Sequence, residues 1–113
     1  MSEKFTITPA KGVYVVRAGG AVIGETRRAL ILKEDGYDAV TYFPREDAGI
    51  EFLDPSETRT TCPHKGEATH FHIAAKSGRI RDAAWSYEDP LPGAAQIKGY
   101  IAFYADKATV EGI

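Results

Sequence analysis

Turn signals recur at short intervals along this chain, and this spacing constrains the fold more than any other feature. Small and polar turn residues interrupt the sequence at Gly19-Gly20, Asp35-Gly36, Asp54-Pro55-Ser56, Ser77-Gly78 and residues 90–93. The stretches between these interruptions are rich in β-branched and aromatic residues. Short strands separated by regular turns are typical of all-β barrels and sandwiches. The spacing therefore predicts a mainly β fold.

The clearest local element is a hairpin near the start of the chain. Residues 13–17 lead through Ala18-Gly19-Gly20 into residues 21–23. A Gly-Gly pair supplies the positive φ angles that tight hairpin turns require. We therefore predict two antiparallel strands joined at this pair.

A second hairpin is predicted directly after the first. Its arms are residues 29–33 and 39–43, and residues 34–37 form its turn. An alternative is a helix that starts at Arg27 and Arg28. Periodicity does not decide between the two, because the apolar run that follows these arginines is only four residues long.

Residues 66–75 alternate between two faces. Thr69, Phe71 and Ile73 fall on one face, whereas His70 and His72 fall on the other. Alternation with a period of two indicates a half-buried strand. We expect the two histidines to share a face opposite the core contacts of Phe71 and Ile73.

The remainder of the chain predicts one strand, one short helix and a final strand. Residues 79–87 alternate as a strand, and residues 93–98 follow Pro92, a residue favoured near helix starts. Residues 100–104 then return as a strand. A length of 113 residues suits one domain. We predict a single compact domain over residues 1–113, built as a strongly bent antiparallel sheet, barrel- or sandwich-like, with at most one short helix.

Charge and hydropathy disfavour nucleic-acid and membrane partners, and cysteine content indicates the compartment. The net charge of −2 and the pI near 5.9 disfavour a nucleic-acid surface, which needs excess lysine and arginine. No apolar run approaches the roughly 20 residues of a membrane helix, and the N-terminal residues lack a hydrophobic signal segment. One cysteine cannot form an intramolecular disulfide, so we expect a cytoplasmic protein. No cofactor is expected, and a homo-oligomer is compatible with the sequence.

The run Thr60-Thr61-Cys62-Pro63-His64-Lys65-Gly66 concentrates the residues that carry chemistry. A turn of this kind can present an ammonium group, hydroxyls and backbone N–H groups together, which suits an anion. Arg45 adds a guanidinium that is suited to carboxylate or phosphate. The chain has neither of the glycine-rich phosphate motifs. Lys65 as a solvated surface side chain is the alternative.

Cys62 is a candidate nucleophile, because a thiolate can be supported by the neighbouring His64 and Lys65. The alternative is an inert cysteine in a turn. Cys62, His64, His70 and His72 are all zinc-ligand types, but their spacing matches no standard zinc site, so no metal is predicted. For these histidines the alternative is a solvent-facing position.

Aromatic residues near the end of the chain serve the core or a ligand cleft. Trp85, Tyr87, Tyr100, Phe103 and Tyr104 follow one another within 20 residues. Aromatic side chains dominate core energetics, so most should be buried. One or two can line a cleft, and base stacking on them is a minor hypothesis without a basic excess.

Five blocks in order resemble one family. The chain is similar to the Domain of Unknown Function 427 family at 42–47 (YFPRED), 53–56 (LDPS), 61–68 (TCPHKGEA), 82–90 (DAAWSYEDP) and 97–104 (IKGYIAFY). The resemblance implies a small, cytosolic, mostly β domain. The family carries a nucleotidyltransferase-like label, whereas this chain has no paired-carboxylate site of the kind used with magnesium. The family usually has an aromatic residue where His64 stands.

The resemblance and the residues together define a hypothesis for function. The polar residues shared with the family, and a neighbouring tyrosine, are the candidate site: Arg45, Asp47, Thr61, Cys62, Lys65, Gly66, Trp85, Tyr87 and Tyr104. We expect a small anionic or nucleotide-like ligand at the Cys62–Lys65 turn, with Cys62 and Asp47 as reactive candidates. Whether the protein is an enzyme stays open. The alternative is a protein-interaction or homodimerisation domain without catalysis.

Overall fold

Antiparallel strands make up most of the chain in the computed structural model, which describes residues 5–113. The strands are β1 (Phe5–Pro9), β2 (Tyr14–Ala18), β3 (Ala21–Thr26), β4 (Leu30–Glu34), β5 (Val40–Tyr42), β6 (Leu53–Cys62), β7 (Gly66–Ala75), β8 (Gly78–Ser86), β9 (Ala102–Phe103) and β10 (Thr109–Gly112). Short 3-10 helices occupy Arg45–Asp47, Ile50–Phe52 and Pro92–Ile97. The predicted mainly β fold is confirmed. The predicted domain, and the N-terminal residues predicted to lack a signal segment, also include residues 1–4, which lie outside the described residues.

Both predicted hairpins are present. β2 pairs antiparallel with β3, and Gly19 and Gly20 join them at φ angles of 58° and 83°. β4 pairs antiparallel with β5, so no helix forms at Arg27 and Arg28. Local turn chemistry thus decides both hairpins, as expected for Gly-containing connections.

β6 runs through the residues that the sequence suggested as a turn. The register of β6 against β7 shifts between Pro55 and Arg59, and that of β7 against β8 shifts between Phe71 and Ile73. Such bulges insert unpaired residues and bend the strand. Proline is tolerated at a bulge because it has no N–H to donate to the ladder. The turn-like residues 54–56 therefore lie at a bulge inside a long strand.

Three sheets enclose two core clusters. The sheet orders are β1-β4-β5, β10-β2-β3 and β6-β7-β8-β9. One cluster joins residues of β2 and β3 with Ile73, and the partly buried Phe71 packs against it. The other joins β1 and β4 with Ala68. Because alternate residues of β7 belong to different clusters, both faces of this strand are covered. The predicted core contacts of Phe71 and Ile73 are confirmed.

The end of the chain is less regular than the sequence predicts. The helix expected at 93–98 is the 3-10 helix Pro92–Ile97, with proline in its first turn. The strand expected at 100–104 is shortened to β9, and Ile101 forms a separate antiparallel bridge to Phe43. Among residues 5–113, no helix is both long and apolar enough to cross a membrane.

Candidate functional site

The Cys62–Lys65 turn joins β6 to β7, because Cys62 ends one strand and Gly66 begins the next. The Lys65 N–H donates to the Cys62 carbonyl at 3.3 Å, and the Leu91 N–H donates to the Lys65 carbonyl at 2.8 Å. Gly66 has a φ of 113°, and a side chain there would lie against the backbone of residues 89–91. The glycine therefore allows this loop to hold the turn in place.

The Lys65 side chain is buried inside this turn. It is 8% exposed, and its ammonium group donates to Glu34 Oε1 at 2.9 Å and to Cys62 Sγ at 3.4 Å. The ammonium nitrogen also lies 5.2 Å from the centre of the Phe5 ring. Burial lowers the pKa of Lys65, but Glu34 and Cys62 outweigh burial, and the pKa is raised overall. Lys65 is therefore a charged, paired group rather than the solvated surface lysine of the alternative reading.

A groove lies beside this buried pair. Its volume is about 600 Å³, and it is lined by Glu34, Asp35, Tyr37, Thr61, Cys62, Pro63 and His64. This volume is within the range of small-molecule sites. Cys62 is half-buried, whereas Thr61 and His64 are exposed. The groove thus combines one thiol with two carboxylates, and Lys65 contacts the thiol and one of the carboxylates from behind.

Tyr87 belongs to the same region. It is buried with Phe5 and Ala68 in the cluster that covers β1 and β4. Burial raises the pKa of Tyr87, although the nearby Lys65 charge opposes this effect. Tyr87 is thus a core side chain that is affected by the Lys65 charge, and it is not among the residues that line the groove.

Arg45 lies apart from Lys65 in a different set of contacts. Its Nη1 atom donates to Glu88 Oε2 at 3.0 Å and to the Gly99 carbonyl at 3.2 Å. The guanidinium also lies 5.6 Å from the centre of the Phe71 ring. Among the described residues, Arg45 and Lys65 share no hydrogen-bond partner, so these contacts do not bring the two cations to one anion.

Asp47 has a third set of contacts. It accepts hydrogen bonds from Thr26 Oγ1 at 2.8 Å and from Arg28 Nη2 at 3.2 Å. The same arginine pairs with Glu46 at 2.7 Å, and these two ionic contacts raise the pKa of Arg28. None of these groups contacts Cys62, so the structure does not bring the two reactive candidates together.

Trp85 and Tyr104 line a second groove. Its volume is about 380 Å³, and Asp38, Val40, Thr41, Phe103 and Ala108 are among its other lining residues. The Trp85 and Tyr104 ring centres are 4.5 Å apart. The Trp85 indole N–H donates to the Tyr42 hydroxyl at 3.3 Å, and Tyr42 packs in the same cluster as Tyr87. Trp85 therefore contacts both the second groove and the core beside the turn.

Both histidines of β7 are buried, so the solvent-facing alternative is wrong. His70 is 2% exposed and His72 is 7% exposed. His70 Nε2 lies 2.9 Å from the Tyr104 hydroxyl, and His72 Nδ1 accepts the Asp82 backbone N–H at 2.9 Å. Burial is tolerated because each ring gains a hydrogen bond. In the described part of the chain, no group of three or more histidine, cysteine or acidic residues could hold a metal ion.

Asp82 is a polar centre that sequence reasoning missed. Its carboxylate accepts hydrogen bonds from the Ser56 and Thr58 hydroxyls at 2.5 and 2.8 Å. These two bonds lower the pKa of Asp82. Asp82 also has a φ of 47°, in the left-handed region that aspartate tolerates better than most residues. The only sequence signal was the turn-like composition of residues 54–56, which marks one of the two bulges that meet here.

Fold and site together define a small antiparallel β domain with one buried lysine at a hairpin turn and one aromatic groove. The family model for the domain of unknown function (DUF427) matches residues 6–112. The chain therefore belongs to the DUF427 family. No curated protein matches this sequence.

Proposed function

We propose that this domain binds a small anionic or nucleotide-like ligand at the Cys62–Lys65 turn. The buried Lys65 ammonium group is the single observation that carries the proposal. A lysine is seldom fully buried unless it is paired, because moving its charge out of water is costly. Both of its side-chain partners, Glu34 and Cys62, line a groove of small-molecule size.

Glu34 stands in for the anion in this proposal. Its carboxylate contacts the Lys65 ammonium at 2.9 Å and is 19% exposed at the end of β4. The exposed turn at Asp35 and Gly36 follows it directly. A carboxylate or phosphate on the ligand would take the place of Glu34 on the ammonium, and Glu34 would turn towards solvent. The buried charge stays paired throughout this exchange.

The acidic rim limits which anions fit. Glu34 and Asp35 both line the groove, and like charges at short range repel. A ligand with one anionic group meets less repulsion than a polyphosphate does. The proposed ligand class is therefore a monocarboxylate, a sugar monophosphate or a nucleoside monophosphate.

Cys62 is the reactive candidate closest to the proposed anion. Its sulfur accepts a hydrogen bond from the same ammonium group at 3.4 Å. If the protein is an enzyme, Cys62→Ser should abolish turnover and leave ligand affinity nearly unchanged. If it is a binding module, Cys62→Ser should leave ligand affinity unchanged, and there is no turnover to lose. Asp47 is a weaker candidate, because its contacts are with Thr26 and Arg28.

A thermal-shift screen tests the proposal, with acetate, ribose 5-phosphate and AMP as probes. A ligand at about 100 times its Kd adds roughly 2.7 kcal/mol of stability. In a domain of this size the melting temperature should rise by about 4–8 °C. The rise should disappear in Lys65→Met and persist in Lys11→Met, which removes an exposed positive charge. A rise with acetate or ribose 5-phosphate that persists in Lys65→Met would contradict the proposal.

If none of these probes raised the melting temperature, a protein-interaction or homodimerisation domain would be favoured instead. Sedimentation would then show a mass that increases with protein concentration. We further propose a cytoplasmic location, which the single free thiol of Cys62 supports. No cofactor and no nucleic-acid or membrane partner enters the proposal.

A further inference from the structure

The groove beside Trp85 and Tyr104 is separate from the Cys62–Lys65 turn, and no residue lines both. We propose that it is a second binding site, for a small planar heterocycle that carries an amino group. This site does not depend on the anion proposed above, and three features of the groove support it.

The first feature is the aromatic wall. The Trp85 and Tyr104 rings lie 4.5 Å apart with a tilt of 43°, and both line the groove. Val40, Phe103 and Ala108 add apolar surface around them. Small-molecule sites are usually lined by apolar and aromatic side chains with a few polar groups. A flat ring system matches this wall better than a branched or highly charged ligand does.

The second feature is an unpartnered nitrogen behind the wall. His70 Nδ1 is buried and has no hydrogen-bond partner among residues 5–113, whereas Nε2 contacts the Tyr104 hydroxyl. A neutral histidine has one N–H group and one lone pair. Buried N–H groups without a partner are rarer than incompletely satisfied acceptors. In the tautomer that carries its proton on Nε2, the unpartnered Nδ1 is an acceptor, and His70 donates to the oxygen of Tyr104.

This arrangement leaves the hydroxyl hydrogen of Tyr104 available. Within the described chain no other polar group lies within hydrogen-bond distance of the hydroxyl. Burial raises the pKa of Tyr104, and the charges of Asp82 and Asp106 raise it further, so the hydroxyl keeps its proton at neutral pH. Tyr104 can then donate one hydrogen bond to a ring nitrogen or carbonyl of a ligand, and the bond from His70 strengthens it.

The third feature is the polar part of the lining. Asp38 supplies a carboxylate, and Thr41 and Thr109 supply hydroxyls. A carboxylate accepts hydrogen bonds but cannot donate them when ionised. One donor on Tyr104 and one acceptor on Asp38 match a heterocycle that has a ring acceptor and an amino group. The same carboxylate disfavours an anion, so the ligand proposed here is uncharged, whereas the ligand proposed at the turn is anionic.

Trp85 is the single tryptophan of the chain, so its fluorescence reports on this groove directly. We would titrate adenine and purine, which differ by one amino group, and follow the emission of Trp85. Adenine should quench the emission with saturation, and purine should bind about tenfold more weakly because it lacks the amino group. Asp38→Ala, which removes the acceptor, should remove that difference.

Two variants test the site itself. Tyr104→Phe should weaken adenine binding about fivefold through loss of one hydrogen bond, whereas Tyr37→Phe, in the other groove, should leave it unchanged. Ala105→Phe places a ring at an exposed lining position and should abolish adenine binding without loss of fold. This variant therefore tests the groove if Tyr104→Phe is unstable. Lys65→Met should have no effect on the adenine affinity.

Absence of saturable quenching at millimolar adenine would overturn the proposal. Binding that survives Ala105→Phe would overturn it as well, because the ligand would then lie elsewhere. Loss of adenine binding in Lys65→Met, with Ala105→Phe unaffected, would move the heterocycle to the turn. That result would support the proposed function and reject this second site.

Discussion

The Cys62–Lys65 turn and the Trp85–Tyr104 groove differ in how their polar groups are satisfied. At the turn, the Lys65 ammonium already has two partners within 3.4 Å. At the groove, the Tyr104 hydroxyl contacts only His70 Nε2 within the described residues, and no charged partner occupies the groove side. The first region therefore holds its own anion, whereas in the second we propose that a ligand supplies the further partner of Tyr104.

This difference shows that the region with more charged groups need not be the one that accepts a ligand without displacing a protein group. Lys65 and Glu34 neutralise each other, so a ligand at the turn has to compete with Glu34. Tyr104 and Trp85 carry no charge, and a ligand beside them displaces no protein group. An occupied polar pair gives selectivity through competition, whereas an open aromatic wall gives affinity through contact.

The largest expected effect is that of Lys65→Met on stability. The substitution leaves the Glu34 carboxylate partly buried without its cation, and breaking a buried ion pair costs about 3–5 kcal/mol. Because Glu34 is 19% exposed, we expect about 2–4 kcal/mol by urea unfolding. Lys11→Met should change stability by less than about 0.5 kcal/mol. A loss below about 1 kcal/mol for Lys65→Met would show that Lys65 is not held as the structure indicates.

A smaller effect on stability is expected at the contact between Tyr42 and Trp85, where the two regions meet. Tyr42 is buried and its hydroxyl accepts the Trp85 indole N–H, so Tyr42→Phe leaves that N–H unpaired. The expected loss is about 1 kcal/mol, with a change in the emission of Trp85. Tyr37→Phe, at an exposed position, serves as the control. Unchanged emission in Tyr42→Phe would mean that Trp85 does not report on this contact.

The Cys62–Lys65 turn and the Asp82 centre should respond to opposite ends of the pH scale. The pKa of Lys65 is raised, so its stabilisation is complete below the ordinary lysine pKa and is lost as pH rises through the folded value. The pKa of Asp82, beside His72, is lowered, so its stabilisation is present above the ordinary aspartate pKa and is lost as pH falls through the folded value.

Melting temperatures across pH check this expectation. Lys65→Met should flatten the alkaline decline and leave the acid one unchanged. Asp82→Asn should flatten only the decline below about pH 4. If both variants altered the same limb, the turn and the Asp82 centre would not titrate independently.

Local chemistry made much of the fold predictable. Gly19 and Gly20 mark the first hairpin, and the strand predicted over residues 66–75 has the bounds of β7. The alternation predicted a half-buried strand, which is wrong because both faces of β7 are covered.

β1, β6 and β10 were not predicted. In β6 the proline and small polar residues at 54–56 resemble a turn, and only pairing with β7 shows that a bulge begins after Pro55. The bulge depends on the partner strand, because the pairs on either side of it, Pro55–Phe71 and Arg59–Thr69, join residues 16 and 10 positions apart.

The candidate site was predictable only in its local part. The contact between Cys62 and Lys65 follows from their spacing in one turn, but the third member, Glu34, is 31 positions from Lys65. The burial of His70 was missed because its partner, Tyr104, is 34 positions away. Arg45 and Asp47 lie two positions apart in one block shared with the family, yet their ionic partners are Glu88 and Arg28. Residue type indicated chemistry, whereas tertiary pairing decided which groups meet.

The proposed function requires that Glu34 and the ligand compete for the Lys65 ammonium, and calorimetric titration with ribose 5-phosphate tests this competition. This probe has one phosphate and no aromatic ring, so the Trp85 groove does not contribute. The account predicts about tenfold tighter binding to Glu34→Gln than to the wild-type protein, since the competing carboxylate is gone, and no binding to Lys65→Met. Equal or weaker binding to Glu34→Gln would contradict the claim that Glu34 occupies the place of an anionic ligand.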